Sequence, residues 1–377
     1  MAKGHNTASL CKTALLYWHT LRHMKPVQFT ARISRKLFKP KPDLRPAPDL
    51  RTKTGPWNTP PAPAPSMTGL RTFMLLNQSG TIQHPGDWNA PDRDKLWLYN
   101  LHYFDDMRAR NANKRVGWHQ DLIALWIAQN PPGQGNGWEA YPLSLRIVNW
   151  IKWVLAGHEL KTEWQHSLAV QVRFLNGAIE WHLLGNHLLA NAKALVFAGL
   201  FFEGTEAKDW LRKGLRIYAQ QLPEQILFDG GHFERSPMYH ALILEDLLDL
   251  LNLAGAYPGA IGKDVILQWE RITDAMRHWL NVMTHPDGQI SFFNDAAFGI
   301  AAAPGVLENY AKALGRQPPP LWRMAWCTLR PLDISGCNAR PWWRCWMLRP
   351  SGRIICLVML MPIRCRSSCR LMVSGWW

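Results

Sequence analysis

The sequence predicts a mainly α-helical protein in which consecutive helices pack against each other as hairpins. Apolar residues recur at helical spacing from about residue 94 onward, and no strand-like alternation of useful length interrupts the pattern. Four segments carry it: Ile147, Trp150, Ile151 and Val154; Leu211, Leu215, Tyr218 and Leu222; Ala241, Leu244, Leu248 and Leu251; and Trp269, Ile272, Met276 and Leu280. These segments end at helix breakers such as Gly157, Pro223 and Gly255. Six or seven such helices predict an array with antiparallel neighbours.

The region before this array is predicted to be an N-terminal segment and connector, residues 1–66, followed by the helical domain at 67–330. A short helix is expected within "TALLYWHTLRHM", residues 13–24. Residues 39–66 contain nine prolines, which fix φ and remove backbone donors. This stretch is therefore predicted to be an extended connector.

The composition narrows the class of partner. The net charge of +15 and the pI near 9.7 predict a polyanionic partner, which leaves nucleic acid, a membrane surface or an acidic polysaccharide. The 21 tryptophans favour the polysaccharide, because indole faces stack on sugar rings and Lys/Arg-rich tracts of the nucleic-acid type are absent. No apolar run approaches the roughly 20 residues of a membrane span, no convincing signal peptide is present, and no cysteine spacing predicts a zinc site.

The loops of the helical domain are rich in Gly, Asn, His, Asp and aromatic residues, and four of them are candidates for a common groove: 130–146, 185–187, 227–240 and 285–299. In a ring of helical hairpins, such loops gather at one rim. Asn186 and His187 stand at the start of an otherwise apolar predicted helix, and Asn191 is a further polar residue near its start. Two interpretations remain open there: helix capping by the amide, or a functional imidazole facing a cavity.

The densest polar motif is "DGGHFERSPMYH", residues 229–240. A set of Tyr, His and Asn side chains suits removal of the proton beside a carboxylate, as in elimination from a uronic acid. The carboxylate must be neutralised by hydrogen bonds, a base must take the proton, and a Tyr hydroxyl can protonate the departing oxygen. This chemistry requires neither a metal nor a cofactor.

Several motifs resemble the helical N-terminal domain of the heparinase II/III-like polysaccharide lyases: "NPPGQGNGWEAYPLSLRIVNWIKW", "GNHLLANAKALVFAGLFF", "DGGHFERSPMYHALILEDLLDLLNLAG" and "FFNDAAFG". The resemblance covers about residues 12–330. It implies an incomplete (α/α) toroid followed by a β-sandwich, with an acidic, uronate-containing polysaccharide bound in the cleft between them. It also suggests the periplasm or the cell envelope as the location.

The resemblance carries site residues with it. It implies that Asn186 neutralises the substrate carboxylate, that His187 is a second neutraliser or the base, and that Tyr239 is the acid/base. The predicted substrate-binding or supporting residues are Trp138, Glu139, Tyr141, Arg146, His232, Glu234, Arg235, His240, Asn294 and Asp295. We expect no metal site, no cofactor and no nucleic-acid partner.

Two other functions fit the same residues. A glycoside hydrolase would use paired carboxylates, taken from Asp229, Glu234 and Asp295. A non-enzymatic glycan-binding or surface-polysaccharide assembly protein would bind sugar without forming a product.

The last segment, residues 331–377, differs from the rest of the chain in composition. After Asp333 it contains seven Arg, five Trp and five Cys but no Lys, Asp or Glu. The codons of "RIICLVMLMPIRCRSSC", residues 353–369, permit the peptide "DYLPGHAHADTLSFEL" when read out of frame. Both alanines are nearly forced, because methionine codons end only in G. That peptide resembles the start of the family's β-sandwich, so we expect a frameshifted tail, a missing sandwich domain and impaired activity.

Overall fold

The computed structural model describes residues 18, 19, 22 and 24–318, together with the backbone of two short strands, 345–348 and 355–358. The chain divides into two compact units, 1–319 and 320–377. In the second unit, Cys345–Leu348 and Ile355–Val358 pair as antiparallel strands. The expected frameshift falls in the second unit, and apart from these two strands that unit lies outside the described residues. Most of the helix expected within 13–24 also lies outside them.

The first unit begins with elements that the sequence analysis did not predict. Helix α1, Pro26–Leu37, precedes the proline-rich connector, and the connector is extended as expected. A three-stranded antiparallel sheet follows, made of β1 (Met67–Gly69), β2 (Thr72–Leu75) and β3 (Gln78–Thr81). Leu76 and Asn77 join β2 to β3 with φ of 50° and 61°, the left-handed backbone of a tight two-residue hairpin. Strands of three or four residues are too short to show a clear alternation in the sequence.

Nine further helices follow the sheet in the described part of the first unit. They are α2 (Lys95–Tyr103), α3 (Val116–Gln129), α4 (Ala140–Leu155), α5 (Thr162–Gly177), α6 (Gly185–Phe201), α7 (Gly204–Gln225), α8 (Pro237–Ala256), α9 (Lys263–Val282) and α10 (Pro304–Ala313). Short 3₁₀ turns lie at Pro85–Asn89, Asp105–Arg108, Ala112–Arg115 and Asn136–Trp138. The predicted loop 130–146 is therefore too long at its end, because α4 already begins at Ala140.

The helices pack as the incomplete (α/α) toroid that the resemblance implied. Helices α4, α6 and α8 contact one another in sequence as an inner layer, while α5, α7 and α9 each pack against an inner helix as the outer layer. Helix α6 is buried from Leu188 to Phe201 without interruption, so it lies inside the packed layers. Two glycines allow α6 and α7 to approach closely: a Cβ on Gly199 would lie 2.5 Å from the Leu211 amide nitrogen, and one on Gly214 would lie 2.7 Å from Val196 Cγ2.

A buried ionic cluster joins the three inner helices. The Asp249 carboxylate of α8 is fully buried and pairs with Lys152 of α4 and Lys193 of α6, whose side chains are 5% and 7% exposed. Lys193 also pairs with Asp246 at 2.6 Å, and the Tyr310 hydroxyl of α10 donates to Asp249 at 3.1 Å. Because these charges are buried and each has a partner, the cluster links the three inner helices by ion pairs.

Candidate functional site

The start of α6 and the loop before α8 lie side by side. Gln225 Nε2 donates to the Gly185 carbonyl at 3.1 Å, and a Cβ on Gly185 would lie 3.6 Å from Glu234 Oε1. The loop before α10 joins them, because Asn294 Nδ2 donates to the carbonyls of Glu234 and Arg235 at 2.8 and 3.2 Å. Three of the four loops named from the sequence thus meet at one rim of the helical layers.

His187 lies on this rim with its ring held from two sides. Its Nδ1 is 3.3 Å from Glu180 Oε2, and the Tyr141 ring packs against it with 4.4 Å between centroids. The His187 side chain remains 34% exposed. A carboxylate at Nδ1 selects the tautomer with its proton on that nitrogen, which leaves Nε2 as the free acceptor.

Glu180 is the residue that organises this corner, and the sequence analysis missed it. Its Oε2 also accepts a hydrogen bond from Asn191 Nδ2 at 3.1 Å, and Asn191 Oδ1 accepts from the Glu180 backbone nitrogen at 2.9 Å. Asn191 Nδ2 in addition reaches Ser144 Oγ at 3.1 Å, so the amide ties α6 to α4. Glu180 lies in the turn between α5 and α6, so no helical periodicity connects it with His187, and spacing alone gave no signal for it.

Asn186 has a side chain that is free for a ligand. Helix α6 begins at Gly185 and its N-cap is Leu184, with no side-chain cap, so the capping interpretation of Asn186 is wrong. No described residue makes a hydrogen bond with the half-buried Asn186 amide. It can therefore donate to an acceptor that enters the rim.

Tyr239 lies in the first turn of α8, whose first residue is Pro237. Ser236 caps this helix, because its Oγ accepts a hydrogen bond from the Tyr239 backbone nitrogen at 3.4 Å. The ring is half-buried and its hydroxyl has no hydrogen-bond partner among the described residues. Burial, with the charges of Glu234 and Asp295, raises the pKa of Tyr239 above its ordinary value. The hydroxyl therefore keeps its proton at neutral pH, which suits an acid better than a tyrosinate base.

Two carboxylates flank Tyr239. Burial raises the pKa of Glu234, and the nearby charge of Asp295 raises it further, whereas His187 acts in the opposite direction. Asp295 and Arg235 are exposed at the same rim. Asp229, the third carboxylate proposed from the sequence, accepts from the Gly231 amide at 2.9 Å and serves the turn.

Three of the eight described non-glycine residues with positive φ lie at this rim. Leu184, Arg235 and Asn294 have φ of 64°, 55° and 50°, a region that non-glycine residues rarely occupy. Each lies in one of the three segments that meet at the rim. Residues held in such conformations cluster at functional sites, where the surrounding structure enforces an otherwise unfavourable geometry.

Four predicted binding residues lie beneath the surface instead. His240 is fully buried, stacks on Trp279 at 4.4 Å and donates from Nε2 to the Met276 carbonyl at 2.9 Å. Burial lowers the pKa of His240 to about 3 and that of His232 to about 4, so both rings are neutral. Of the two roles expected for them, binding or support, this burial favours support.

Arg146 and Trp138 are buried as well. Arg146 is fully buried, lies over the Trp126 ring at 3.8 Å and donates to Gln171 and to two backbone carbonyls. Trp138 is 4% exposed and its Nε1 donates to the Asn130 carbonyl at 3.3 Å. Both hold the 130–139 loop against the core rather than presenting a charge or a ring to a ligand.

The other two residues of that loop motif stay near the surface. Glu139 is half-buried, pairs with Lys95 at 2.9 Å and accepts from the Tyr99 hydroxyl. Tyr141 contacts His187, as described above, and burial raises its pKa, with the charge of Asp246 adding to the effect. Tyr141 is thus the member of this motif that reaches the rim.

No group of His, Cys, Asp or Glu in the described residues is arranged to hold a metal ion. A cavity of about 140 Å³ lies between β3 and α2, and it is smaller than usual ligand pockets. It is lined by Thr81, Ile82, Asp87, Ala90, Asp92, Arg93, Trp97 and Leu101. None of the helices described combines the length and the apolar character that a membrane crossing needs.

The chain is similar to known lyases. It is 32% identical over 203 residues to a heparin-sulfate lyase of Bacteroides thetaiotaomicron, covering 50% of this chain and 29% of that protein. A heparin-sulfate lyase of Bacteroides stercoris is 39% identical over 74 residues, 19% of this chain and 11% of that one. These matches span less than a third of each relative.

A solved structure of heparinase III aligns with 62% of this chain and 40% of its own length, at 22% identity and a TM-score of 0.49. The family model described as the heparinase II/III N-terminus matches residues 103–318. That range contains the whole rim and more than half of the sequence. The chain therefore belongs to the heparinase II/III family.

Proposed function

We propose that the rim is half of the active site of a polysaccharide lyase that cleaves an acidic, uronate-containing glycan by β-elimination. One observation carries the proposal: an unpaired amide, an imidazole oriented by a carboxylate and an unpaired tyrosine hydroxyl belong to adjoining segments at one rim. These are Asn186, His187 and Tyr239. The name of the two relatives, heparin-sulfate lyase, supports it.

Each group has a part in the reaction. The Asn186 amide donates to the substrate carboxylate, which lowers the cost of placing negative charge on the adjacent carbon. His187 Nε2 takes the proton from that carbon, and the carbon–hydrogen electron pair becomes the new double bond. The glycosidic bond then breaks as the Tyr239 hydroxyl gives its proton to the leaving oxygen. The raised pKa of Tyr239 keeps that proton in place until it is needed.

We further propose that the tail after about residue 337 is a frameshifted copy of the family's sandwich domain. The support is the composition of the tail and the out-of-frame peptide that its codons permit. The chain as written would then have low activity. Sequencing the gene beyond the codon for Trp377 tests this, since a downstream frame that closes at once contradicts it.

The test of the lyase uses both the chain as written and a version with the frame restored. We expect the restored enzyme to release unsaturated sugars that absorb in the near ultraviolet. Tyr239→Phe should then lower kcat by about a hundredfold or more with little change in binding. Tyr257→Phe, at a buried tyrosine outside the rim, is the matched control. Turnover of Tyr239→Phe close to that of the control would contradict the assignment.

A glycoside hydrolase is the second candidate, and the raised pKa of Glu234 beside Asp295 favours it. A carboxyl that keeps its proton can act as a general acid, with the second carboxylate as base or nucleophile. Such an enzyme would release sugars without near-ultraviolet absorbance and would lose its activity in Glu234→Gln. Binding of an acidic glycan without any product would instead indicate a glycan-binding or assembly protein.

A further inference from the structure

Helix α1 presents its apolar side to solvent. Ile33 and Leu37, four residues apart, share one face of the helix and are 59% and 69% exposed. Phe38, directly after the helix, is 74% exposed. No residue of α1 is buried, so this helix contributes nothing to the core of the toroid.

The opposite, polar side of α1 attaches it to the toroid. Gln28 Nε2 donates to the His182 carbonyl at 3.3 Å, and the Arg35 guanidinium contacts the His182 ring two helical turns further along the same face. Burial, and then the Arg35 charge, lowers the pKa of His182, so the neutral ring can accept from Arg35. Lys25 pairs with Glu224 at the start of the helix. These contacts hold the apolar face outward, whereas the usual arrangement is the reverse.

The charge around this face is one-sided. Residues 1–42 contain nine Lys or Arg and no Asp or Glu. Arg32 and Lys36 lie beside the apolar face, are exposed and pair with no acidic side chain of the described residues. Lys39 and Lys41 follow directly in the connector and are also exposed.

We propose that α1 binds the surface of an anionic lipid membrane. A helix with exposed large apolar residues flanked by basic ones lies in the membrane interface, where the apolar side chains enter the acyl boundary and the cations meet lipid headgroups. An acidic polysaccharide would be served by the cations, but sugar rings stack on aromatic side chains and would leave the aliphatic Ile33 and Leu37 uncovered. A nucleic acid fails to account for the aliphatic residues for the same reason. The helix would place the toroid at a membrane surface independently of whether the rim is catalytic.

The test is sedimentation of the full chain with vesicles. One set contains phosphatidylcholine alone, and the other has phosphatidylglycerol at about a quarter of the lipid to supply anionic headgroups. We expect binding to the anionic set and little binding to the neutral set. Because all variants share the full chain, any contribution from other segments is common to them.

The first variant replaces the apolar face by Ile33→Ser with Leu37→Ser and should weaken binding about tenfold or more. Its control is Leu96→Ser with Val306→Ser, two side chains that are 54% and 44% exposed on other helices. The control should bind within about twofold of the original chain.

The second variant, Arg32→Gln with Lys36→Gln, should weaken binding roughly 30-fold at low salt, since each cation near an anionic surface counts for about a fivefold change. Lys208→Gln with Arg216→Gln removes the same charge from exposed positions of α7 and is the matched control.

Four results would overturn the proposal. The first is no binding to anionic vesicles. The second is a serine variant that binds as tightly as its control. The third is binding to soluble heparin, used as a polyanionic probe, with no binding to vesicles. The fourth is a chain that is dimeric in solution and does not bind vesicles, with a serine variant that is monomeric. That result would assign the apolar face to contact with a second copy of the chain.

Discussion

The ionic cluster of the inner helices gives the sharpest prediction of stability. Asp249→Asn keeps the size of the side chain but removes the charge that Lys152 and Lys193 share. Lys193 retains Asp246 at 2.6 Å, whereas Lys152 loses its only acidic partner among the described residues. Burial already lowers the pKa of Lys152 to about 8 despite the opposing effect of Asp249.

Breaking a buried pair by removing one partner costs roughly 3–5 kcal/mol, because a charge is left without water or counter-charge. We expect the lower end, about 3 kcal/mol, because Asp246 still serves Lys193 and because Lys152 can lose its proton. The measurement is urea unfolding at pH 7, followed by tryptophan fluorescence and far-ultraviolet circular dichroism. The two signals must agree before a single free energy of unfolding is used.

Two variants show whether the charge is responsible. Asp209→Asn breaks an ion pair with Arg212 in which both side chains are 64% exposed, and it should change the free energy of unfolding by less than about 0.5 kcal/mol. Adding Lys152→Met to Asp249→Asn removes the orphaned charge and should recover at least about 1 kcal/mol. A loss below about 1 kcal/mol in Asp249→Asn, or no recovery in the double variant, would refute the reasoning.

Three further outcomes are expected. Glu180→Ala should move neutral His187 from the Nδ1–H to the Nε2–H tautomer, read from its ring ¹⁵N shifts, and an unchanged tautomer would exclude the orienting role of Glu180. Gly230→Ala should cost more than about 2 kcal/mol, because its Cβ would lie 2.4 Å from the Ala275 carbonyl oxygen, whereas Gly288→Ala, with similar φ and open space, should cost about 1 kcal/mol; equal losses in urea unfolding would contradict this. The pKa of His240, lowered by burial to about 3, means that the folded state binds fewer protons than the unfolded state between about pH 3 and 6.5. Stability should therefore fall with decreasing pH across that window, by about 1.4 kcal/mol per unit from this group, and His240→Phe should flatten the slope.

The helical part of the fold could be predicted because its signal is local. The apolar period around Ile147 and around Leu244 repeats every three to four residues, and that period alone specifies which side of a helix is buried. The sheet at 67–81 gave no such signal, because its strands span only three or four residues. Helix α1 was not predicted although Ile33 and Leu37 stand at helical spacing, and only the structure shows that this side faces solvent.

The candidate site was only partly predictable. Asn186, His187 and Tyr239 stood out because polar groups interrupt apolar helices and glycine-rich loops, and the structure brings their segments together. Whether a polar residue faces a ligand or the core depends on contacts from distant segments. Arg146 and His240 look like binding residues in sequence, yet Trp126 and Trp279 cover them.

By itself, the sequence determined the helical class of this protein, its succession of antiparallel neighbours and the chemical types available at the loops, because these follow from residue type and periodicity. The sequence also predicts that the tail is frameshifted, and this stays a prediction. Only the tertiary structure decided which polar groups are free. Glu180 orients His187 across a turn between two helices, and Asp249 gathers lysines from two others. Such pairings depend on how helices from separate parts of the chain pack, and the free energy that fixes them is a sum over contacts that local sequence does not contain.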